Sequence, residues 1–551
     1  MRRFLKILTI IVGVVLLSAA SLVLYVYSAA DSIVAPNLET PPIFSEEIVQ
    51  DSCTKKLGRN WIRKNADGLY DIYVEGNALE RGTAFGKLSK DLLYLQESYF
   101  VNQLKVFVPS ETHQKSLIKL INFFNRNITD YIPEENQTEI YGLSLSCSHE
   151  FDFVGNPFGR QLNFHAAHDI GHAMQDYMLV GCTSFAAWDS ASADGNLVIG
   201  RNFDFFVGED FAKNKLVSFF NPTDGHKFAM IGWAGMTGVL SGMNEKGLTV
   251  TINAAESSMP TSTSMPISIL ARQILQYAST IQEAYAIAEK AQTFVSESLL
   301  IGSALENRAA IIEKSIDKTA IFESSSNSLV CANHYQSEAL KNDEFNIKNI
   351  ETSDSPYRQK RAEELIAKLS PIDYTKAISI LRDTKGANDK NIGLGNEKAL
   401  NQLIAHHSVV FSPKELKMWV STAPYQLGKF ICYDLKSAFS NTQDCNVFRT
   451  DSLDVQADTL LHSEAFENFL KFRTAKKELT KKIDNGEDIS DDKIHEMTAL
   501  NPNFYQAYDL AGDAFQAKGN AEQARSNWTK ALSLEIPKAA EREAIKKKLE
   551  D

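Results

Sequence analysis

The sequence predicts a mixed α+β fold that is followed by a helical C-terminal region. Short β-branched runs bounded by Gly, Asn or Pro cluster between residues 181 and 434, and helical periodicity dominates residues 90–180. Strands and helices grouped in such blocks favour a layered α+β domain over a doubly wound sheet. Beyond residue 450 the chain becomes helical and charged.

Length and composition agree with a globular protein of several domains. The chain has 551 residues, of which 44% are hydrophobic and 23% charged, which excludes collagen-like, mucin-like and wholly disordered chains. The net charge is −12 and no stripe is dense in Lys and Arg, so we expect no nucleic-acid partner. The six cysteines form no Cys-x-x-Cys pair. Cys432 and Cys445 are close enough for a disulfide in an oxidising compartment, although pairing does not follow from sequence.

Residues 1–30 predict a transmembrane anchor or an export signal. Three basic residues precede an uncharged apolar run that extends to about Tyr27, and about twenty apolar residues can span a bilayer. Basic residues stay on the cytoplasmic side, so we expect the rest of the chain outside the cytoplasm. Ser28 and Ala30 would also suit a signal peptidase, so a secreted or periplasmic protein remains an alternative to a membrane-anchored one.

The next part of the chain predicts a linker, one strand and several helices. Residues 31–60 are assigned as a linker because their first half is polar and rich in Pro and Glu. Residues 69–74 alternate in the manner of a strand, and a turn at residues 75–77 leads into a helical pattern. Apolar residues three and four apart around Leu104 and Leu117 predict further helices.

Four β-branched runs predict strands in the middle of the chain. They are residues 196–200, 246–252, 309–312 and 416–420. Helical stretches at residues 267–291 and 358–369 interrupt them.

Residues 450–551 predict a helical domain that resembles tetratricopeptide repeats. Residues 505–537 fit one unit, in which small residues such as Gly512 let two helices approach and aromatics such as Trp528 fill the gap. Stacked repeats normally need about three units, so residues 464–500 are a candidate for a degenerate partner. Two interpretations remain: a helical appendage that packs on the preceding domain, or a groove for a protein partner.

The most informative stretch runs from residue 180 to residue 205. Cys182 follows Gly181 where helical sequence gives way to strands. A turn at residues 194–196 would fold a second strand beside the first and bring Arg201 and Asp204 close to the cysteine. A thiol next to a cation and a carboxylate is an activated nucleophile, because a lowered pKa makes it reactive.

This stretch resembles the N-terminal-nucleophile hydrolases, specifically the C45 peptidase family of acyl-coenzyme A:6-aminopenicillanate acyltransferase, with choloylglycine hydrolases as more distant relatives. The resemblance extends from about residue 60 to residue 436. In such enzymes a precursor cuts itself before the cysteine, and the freed α-amine is the general base for the thiol. The resemblance implies a four-layer αββα sandwich, with Gly181–Cys182 as the scissile bond. It also implies an N-terminal α chain (residues 61–181) and a catalytic β chain (residues 182–440).

Further site residues are implied by the same resemblance. Arg201 and Asp204 match an Arg-Asn-x-Asp element, in which the Asp orients the amine and the Arg contributes charge. Asn253 matches an oxyanion-hole residue, Asn333 a second Asn, and Arg358 the end of a Ser-x-x-Arg element. From the residues alone, these side chains could also be a cross-strand ion pair, strand-end residues and the start of a solvated helix face.

A histidine cluster precedes the scissile bond. His165, His168, Asp169 and His172 are spaced three and four apart, so a helix would place them on one face, where they could mimic a metal site. The His-Glu-x-x-His arrangement of a zinc protease is missing. We therefore favour a role in positioning the precursor and expect no metal and no cofactor.

Together these observations predict an exported, self-processing cysteine amidohydrolase or acyltransferase. It would form a thioester on Cys182 with a small-molecule N-acyl substrate, and water or an amine would resolve that thioester. Two alternatives remain open. The chain could be a non-catalytic envelope scaffold that recruits partners through its helical tail, or a metal-dependent hydrolase that uses the histidine face.

Overall fold

A computed structural model confirms the mixed α+β class, with two β-sheets, helices packed on them and a helical C-terminal region. The structure describes residues 21, 24–26, 28–30, 33–36, 49–50, 54–166, 169, 179–208, 210–256, 258, 260, 262–440 and 448–550.

Seventeen strands of the described residues form the two sheets. They are β1 (Val49–Gln50), β2 (Thr54–Leu57), β3 (Asn60–Lys64), β4 (Tyr70–Gly76), β5 (Leu179–Ala187), β6 (Val198–Phe206), β7 (Leu216–Pro222), β8 (Phe228–Gly232), β9 (Ser241–Asn244), β10 (Leu248–Ala254), β11 (Glu297–Ser303), β12 (Arg308–Lys314), β13 (Thr319–Phe322), β14 (Ser328–Cys331), β15 (His407–Ser412), β16 (Lys417–Ser421) and β17 (Phe430–Asp434). The larger sheet has the order β1-β2-β3-β4-β7-β8-β9-β10-β11-β12-β13, and the smaller sheet has the order β14-β5-β6-β15-β16-β17. In the larger sheet β4 and β7 run parallel, which joins the N-terminal strands to the rest.

Alternating side chains explain how the two sheets stack. In β4, Tyr73 belongs to an apolar cluster shared with the smaller sheet, whereas Ile72 and Val74 belong to a cluster shared with helices. In β15, Val409 faces the larger sheet and Val410 faces helices on the other side. Because strand side chains alternate in direction, each sheet has one face against the other sheet and one face against helices. The layers therefore follow in the order helix, sheet, sheet, helix.

The helices cover the outer faces of the sheets and form the C-terminal region. They are α1 (Ala78–Leu88), α2 (Lys90–Phe107), α3 (Glu111–Phe124), α4 (Glu134–Ser144), α5 (Pro157–His165), α6 (Ile267–Tyr277), α7 (Ile281–Lys290), α8 (Glu344–Thr352), α9 (Ser355–Leu369), α10 (Tyr374–Leu381), α11 (Leu435–Ser440), α12 (Glu464–Asp484), α13 (Asp491–Leu500), α14 (Tyr505–Ala517), α15 (Ala521–Leu532) and α16 (Ala539–Glu550). The helical stretch predicted over residues 267–291 is two helices, since Thr280 caps α7 by accepting the Glu283 N–H.

The predicted linker ends earlier than residue 60. Residues 54–57 form β2, which pairs with β3 in an antiparallel hairpin that contributes to the larger sheet. Thr54 and Leu57 are buried at the two ends of β2, so the assignment of residues 31–60 as linker was wrong in its last part. The polar composition of residues 35–49 does not continue into β2, a short strand that alternates only weakly.

Most of the predicted membrane segment, residues 1–30, lies outside the described residues. Within the part of the chain that the structure describes, we find no helix that combines the length and the apolar character needed to cross a bilayer.

The C-terminal helices α12 to α16 share one apolar cluster. The predicted repeat unit corresponds to α14 and α15, and Gly512 is where they touch, since a Cβ there would collide with the Trp528 indole. Residues 464–500 form α12 and α13 beside this hairpin. The helical region also packs on the preceding domain, because Phe466 and Phe469 share a cluster with Leu403 and Leu427.

Candidate active site

Cys182 lies inside β5, and the neighbouring strand β6 carries the charged residues predicted around it. The antiparallel register places Cys182 opposite Phe203 and Gly181 opposite Asp204. Because side chains alternate across a strand, Cys182 and Phe203 share one face of the sheet, whereas Asp204 lies on the other. The Cys182 side chain is fully buried.

Arg201 is the charged residue that contacts the thiol. Its Nη2 lies 3.6 Å from Cys182 Sγ and also donates to the carbonyl of Ile252. Its Nη1 donates to Ser241 Oγ at 2.5 Å, and the guanidinium carbon lies 4.3 Å from the centroid of the Phe203 ring. These contacts fix a buried cation beside the sulfur, in the space between the two sheets.

Two histidines that the sequence analysis did not single out support Arg201. Ser241 Oγ lies 2.8 Å from His407 Nε2, and His407 Nδ1 lies 2.9 Å from His406 Nδ1. Because Ser241 accepts from Arg201, its hydroxyl is free to donate to His407, which then donates through Nδ1 to His406. Burial lowers the pKa of both histidines well below the usual value, and the Arg201 and Lys215 charges lower it further. The sequence shows the two histidines as an adjacent pair, but no local pattern connects them to Cys182.

Asp204 is a buried acid without a partner. Neither carboxylate oxygen has a hydrogen-bond partner among the described residues. Burial raises the pKa of Asp204 to about 8, and the charges of Arg358 and Arg201 oppose this rise only in part. Arg201 and Asp204 thus both lie near Cys182 as predicted, but on opposite faces of the sheet, and only Arg201 contacts the thiol.

Asn333 and Arg358 hold the backbone of Cys182 from two sides. Asn333 Oδ1 accepts the Cys182 N–H at 3.0 Å, and Arg358 Nη1 donates to the Cys182 carbonyl at 2.7 Å. Arg358 also donates to Asn333 Oδ1 at 2.7 Å and pairs with Asp354 at 2.7 Å. One turn earlier in α9, Ser355 Oγ accepts the Asn333 N–H at 2.7 Å. The Ser-x-x-Arg element thus contacts the predicted nucleophile directly through Arg358, and it contacts Asn333 through Ser355.

Asn253 lies next to this group in β10, and its amide has partners of its own. Its Oδ1 accepts the Ser184 hydroxyl at 2.7 Å, and its Nδ2 donates to the Cys331 carbonyl at 3.0 Å. An Asn side chain has two N–H donors, so one remains for the oxyanion role that the family resemblance implies. The structure thus brings together all six predicted catalytic residues, from strands of both sheets, from the bend after β14 and from α9.

The thiol itself is not activated in the uncut chain. Burial raises the pKa of Cys182 to about 11, and the favourable charge of Arg201 is offset in part by the carboxyls of Asp204 and Glu297. Only a small fraction of such a thiol is ionised at neutral pH. A proton acceptor close to Sγ is needed to make it a nucleophile.

The histidine cluster is only partly described. His165 Nε2 accepts the Thr237 N–H at 3.0 Å, and His165 Nδ1 lies 2.8 Å from the Gln161 carbonyl, so both ring nitrogens are engaged. Asp169 accepts the N–H of Ile267 at the start of α6. His168 and His172 lie outside the described residues, as does Cys445, the possible disulfide partner of Cys432. Among the residues that are described, no group of three or more His, Cys, Asp or Glu side chains could hold a metal ion.

Known proteins resemble parts of this chain. Two relatives match at 25% identity: an uncharacterized protein of Archaeoglobus fulgidus over 281 residues (48% of this chain and 47% of the relative), and protein dcd1B of Dictyostelium discoideum over 303 residues (51% and 57%). The chain thus spans about half the length of the curated relatives it matches.

Two solved structures resemble parts of the chain, each with a TM-score of 0.32. One is a Caenorhabditis elegans ortholog of N-acylethanolamine-hydrolyzing acid amidase, at 17% identity over 42% of this chain and 93% of that one. Another is a variant of conjugated bile acid hydrolase from Clostridium perfringens, at 13% identity over 48% and 94%.

A family profile matches the middle of the chain. It is that of acyl-coenzyme A:6-aminopenicillanic acid acyl-transferase, and it covers residues 191–424. The match includes Arg201, Asn253 and Arg358, but it starts nine residues after Cys182. The role of Cys182 as the nucleophile is therefore argued from the geometry around it. The predicted family is confirmed by this match: residues 191–424 match the profile of the acyl-coenzyme A:6-aminopenicillanic acid acyl-transferase family.

Proposed function

We propose that this protein is a self-processing cysteine amidohydrolase or acyltransferase of the N-terminal-nucleophile type. The observation that carries the proposal is the set of contacts around Cys182. Asn333 accepts its N–H, Arg358 donates to its carbonyl, and Arg201 contacts its thiol. A structural cysteine also needs partners for its buried backbone groups, but it needs no guanidinium beside its thiol. The family match and the helix, sheet, sheet, helix order support an enzyme that acts on C–N amide bonds.

Cleavage of the Gly181–Cys182 bond would supply a proton acceptor for the thiol and a charged partner for Asp204. The freed α-amine of Cys182 ordinarily titrates near 7.7–8.0, so it can take the thiol proton at working pH. Once protonated, the same amine is a cation on the strand next to Asp204, whose carboxylate has no described partner in the uncut chain. A buried carboxylate gains most from such a charged partner.

The catalytic cycle follows from these groups. The Cys182 sulfur attacks the acyl carbon of an amide, the C–N bond breaks, and the leaving amine takes the proton that the α-amine had accepted from the thiol. Water or a second amine then attacks the thioester, which releases the acid or a new amide and restores the thiol. Asn253 has one free N–H for the oxyanion, and removal of one such donor typically costs about 100- to 1,000-fold in rate.

The substrate and the location are parts of the same proposal. We infer a small-molecule N-acyl substrate, since the chemistry needs an acyl–amide bond. The basic and apolar pattern of residues 1–30 supports an exported domain attached by an N-terminal helix. An exported domain would meet little acyl-coenzyme A, which favours an amide as the acyl donor. The tetratricopeptide-like tail could additionally bind a protein partner.

Self-cleavage is tested by intact mass and N-terminal sequencing of the chain expressed without residues 1–30. We expect two fragments, the larger beginning at Cys182, and a single chain for Cys182→Ala. Cys182→Ser keeps a weaker nucleophile, so it should cut slowly at the same bond. A wild-type protein that stays uncut after prolonged incubation at pH 8 would refute the proposal. Fragments that begin elsewhere, or that persist in Cys182→Ala, would also refute it.

A further inference from the structure

Gln402 lies against the scissile glycine. A Cβ built on Gly181 would come within 2.8 Å of Gln402 Nε2 and 3.6 Å of Arg358 Nη2, so a larger residue at this position would displace the end of the Gln402 side chain. Gln402 is 3% exposed, and its Nε2 has no hydrogen-bond partner among the described residues. A buried amide N–H₂ without an acceptor destabilises the fold. This unpartnered donor lies beside the residue that supplies the acyl half of the scissile bond.

The segment that carries Gln402 is an irregular loop, residues 382–406, between α10 and β15. On one side it contacts β6: Asn202, within the Arg-Asn-x-Asp element, donates to the Leu400 carbonyl at 2.8 Å. The His406 N–H donates to the carbonyl of Phe203 at 2.9 Å. Most of residues 399–406 are fully buried although they have no regular secondary structure. One side of the loop that carries Gln402 is therefore fixed by contacts with β6.

The other side of the loop contacts the C-terminal helices. Glu535 accepts from Lys390 and Lys398 at 2.7 and 2.8 Å, and Asn501 Nδ2 donates to the Leu394 carbonyl at 2.9 Å. Gly393 has a left-handed φ of +83° where it packs on Phe504 of the C-terminal region.

Other contacts bury polar groups between the loop and the helices. Asn396, fully buried, donates to the Glu535 carbonyl at 2.9 Å. Glu397 is enclosed beside Glu541, Tyr505 and Lys476. The C-terminal helices thus pack against one side of the loop whose Gln402 side chain lies beside Gly181.

We propose that Gln402 is a hydrogen-bond donor to the oxyanion formed during self-cleavage at Gly181–Cys182, and that the C-terminal helical region holds it in place. The inference rests on the proposed function. As Cys182 Sγ bonds to the Gly181 carbonyl carbon, the oxygen becomes negative and gives the Gln402 N–H₂ an acceptor. The C–N bond then breaks, and the nitrogen takes the thiol proton and becomes the α-amine. Water next hydrolyses the thioester to the Gly181 carboxylate and the free thiol.

The test compares self-cleavage rates of full chains made by pulse-labelled cell-free synthesis. Gln402→Met keeps the side-chain length and removes the donor, so cleavage should slow about 100-fold. Gln426→Met is the matched control, because Gln426 is equally buried and its side chain also has no described partner. Cleavage by the control should stay within about twofold of wild type, which separates loss of the donor from general loss of packing.

A second pair of substitutions tests direct contact. Gly181→Ala adds a methyl group at the position 2.8 Å from Gln402 Nε2 and should slow cleavage. Adding Gln402→Ala to Gly181→Ala should make cleavage faster than in Gly181→Ala alone, although Gln402→Ala by itself is slower than wild type. A double variant slower than Gly181→Ala would show that the added methyl group does not clash with Gln402, which would overturn the placement of Gln402 beside Gly181.

The role of the C-terminal helices is tested in the same assay. The double variant Glu535→Ala and Asn501→Ala removes three polar contacts to the loop, and we expect cleavage to slow about tenfold. Glu543→Ala removes an exposed ion pair with Lys546 inside α16 and should change nothing. Cleavage of the double variant at the control rate would overturn the role of the helices.

The outcomes separate the two proposals. A wild-type chain that remains uncut refutes the proposed function and this inference with it. A wild-type chain that cuts at Cys182, together with Gln402→Met cutting at the wild-type rate, refutes this inference and leaves the proposed function standing. Slow Gln402→Met beside a normal Gln426→Met supports both.

Discussion

The unpartnered carboxyl of Asp204 should make the uncut chain lose stability as the pH rises. Its pKa is raised by burial from 3.8 to about 8. A group whose pKa is higher in the folded state stabilises fully below its unfolded pKa, and this contribution is lost as the pH rises toward the folded pKa. Each pKa unit corresponds to 1.36 kcal/mol. Between pH 5 and pH 8 the loss is therefore about 4 kcal/mol for this single side chain.

The assay is urea unfolding of two uncut chains, followed by tryptophan fluorescence across this pH range. One chain carries Cys182→Ala, and the other carries Cys182→Ala with Asp204→Asn, which keeps the shape of the side chain and removes the charge. We expect the Asp204→Asn chain to gain stability relative to its parent as the pH rises. A difference between the two that stays constant from pH 5 to pH 8 would show that Asp204 is not a buried acid with a raised pKa.

Two comparisons exclude other sources of the effect. Asp488→Asn, at an exposed position of the C-terminal region, should leave the pH dependence of the parent unchanged. Wild-type protein that has cut itself should lose less stability than the uncut parent over the same range, because its α-ammonium can pair with Asp204. If the cut protein loses as much, the amine does not lie beside Asp204.

Three further substitutions test the site and the tail. Arg201→Lys should slow self-cleavage about tenfold and shift its pH profile upward, since one unit of thiol pKa is tenfold in thiolate; time courses from pH 6 to pH 10 measure this. Asn333→Leu removes the acceptor of the nucleophile's N–H and should slow cleavage about 10- to 100-fold without preventing folding, as followed by mass spectrometry and circular dichroism. Gly512→Ala should destabilise the C-terminal helices by about 1–3 kcal/mol, because its methyl group collides with Trp528. Thermal unfolding beside the exposed control Gln516→Ala checks that value.

Local patterns predicted much of the fold, because alternation and helical spacing are properties of a few consecutive residues. Residues 69–74 alternate, and they form most of β4. The strand β2 was missed because its four residues alternate only weakly, and its place in the larger sheet depends on pairing with β3. Short edge strands owe their structure to their neighbours more than to their own sequence.

Some residues of the candidate site could likewise be predicted from local patterns, whereas others could not. Cys182, Arg201 and Asp204 could be selected from the sequence because a turn and two strands bring them together over 23 residues. His407 and Gln402 could not, since each reaches the site from more than 200 residues away through a register or a loop that no local pattern encodes. Even the orientation of Asp204 needed the structure, because the direction of each side chain depends on which residue lies opposite it.

The uncut site favours one order of events over its alternatives. A thiol whose pKa is about 11 and a carboxyl whose pKa is about 8 are both neutral for the most part at pH 7, so the precursor buries them at little electrostatic cost. Cutting at Cys182 adds one group, the α-amine, that accepts the thiol proton and offers Asp204 a positive partner. The first turnover is then the one that must proceed without this base. Fixed neutral donors and the Arg201 cation are the groups left to support it, which is why we expect substitutions of Arg201 and Gln402 to affect self-cleavage more than they affect folding.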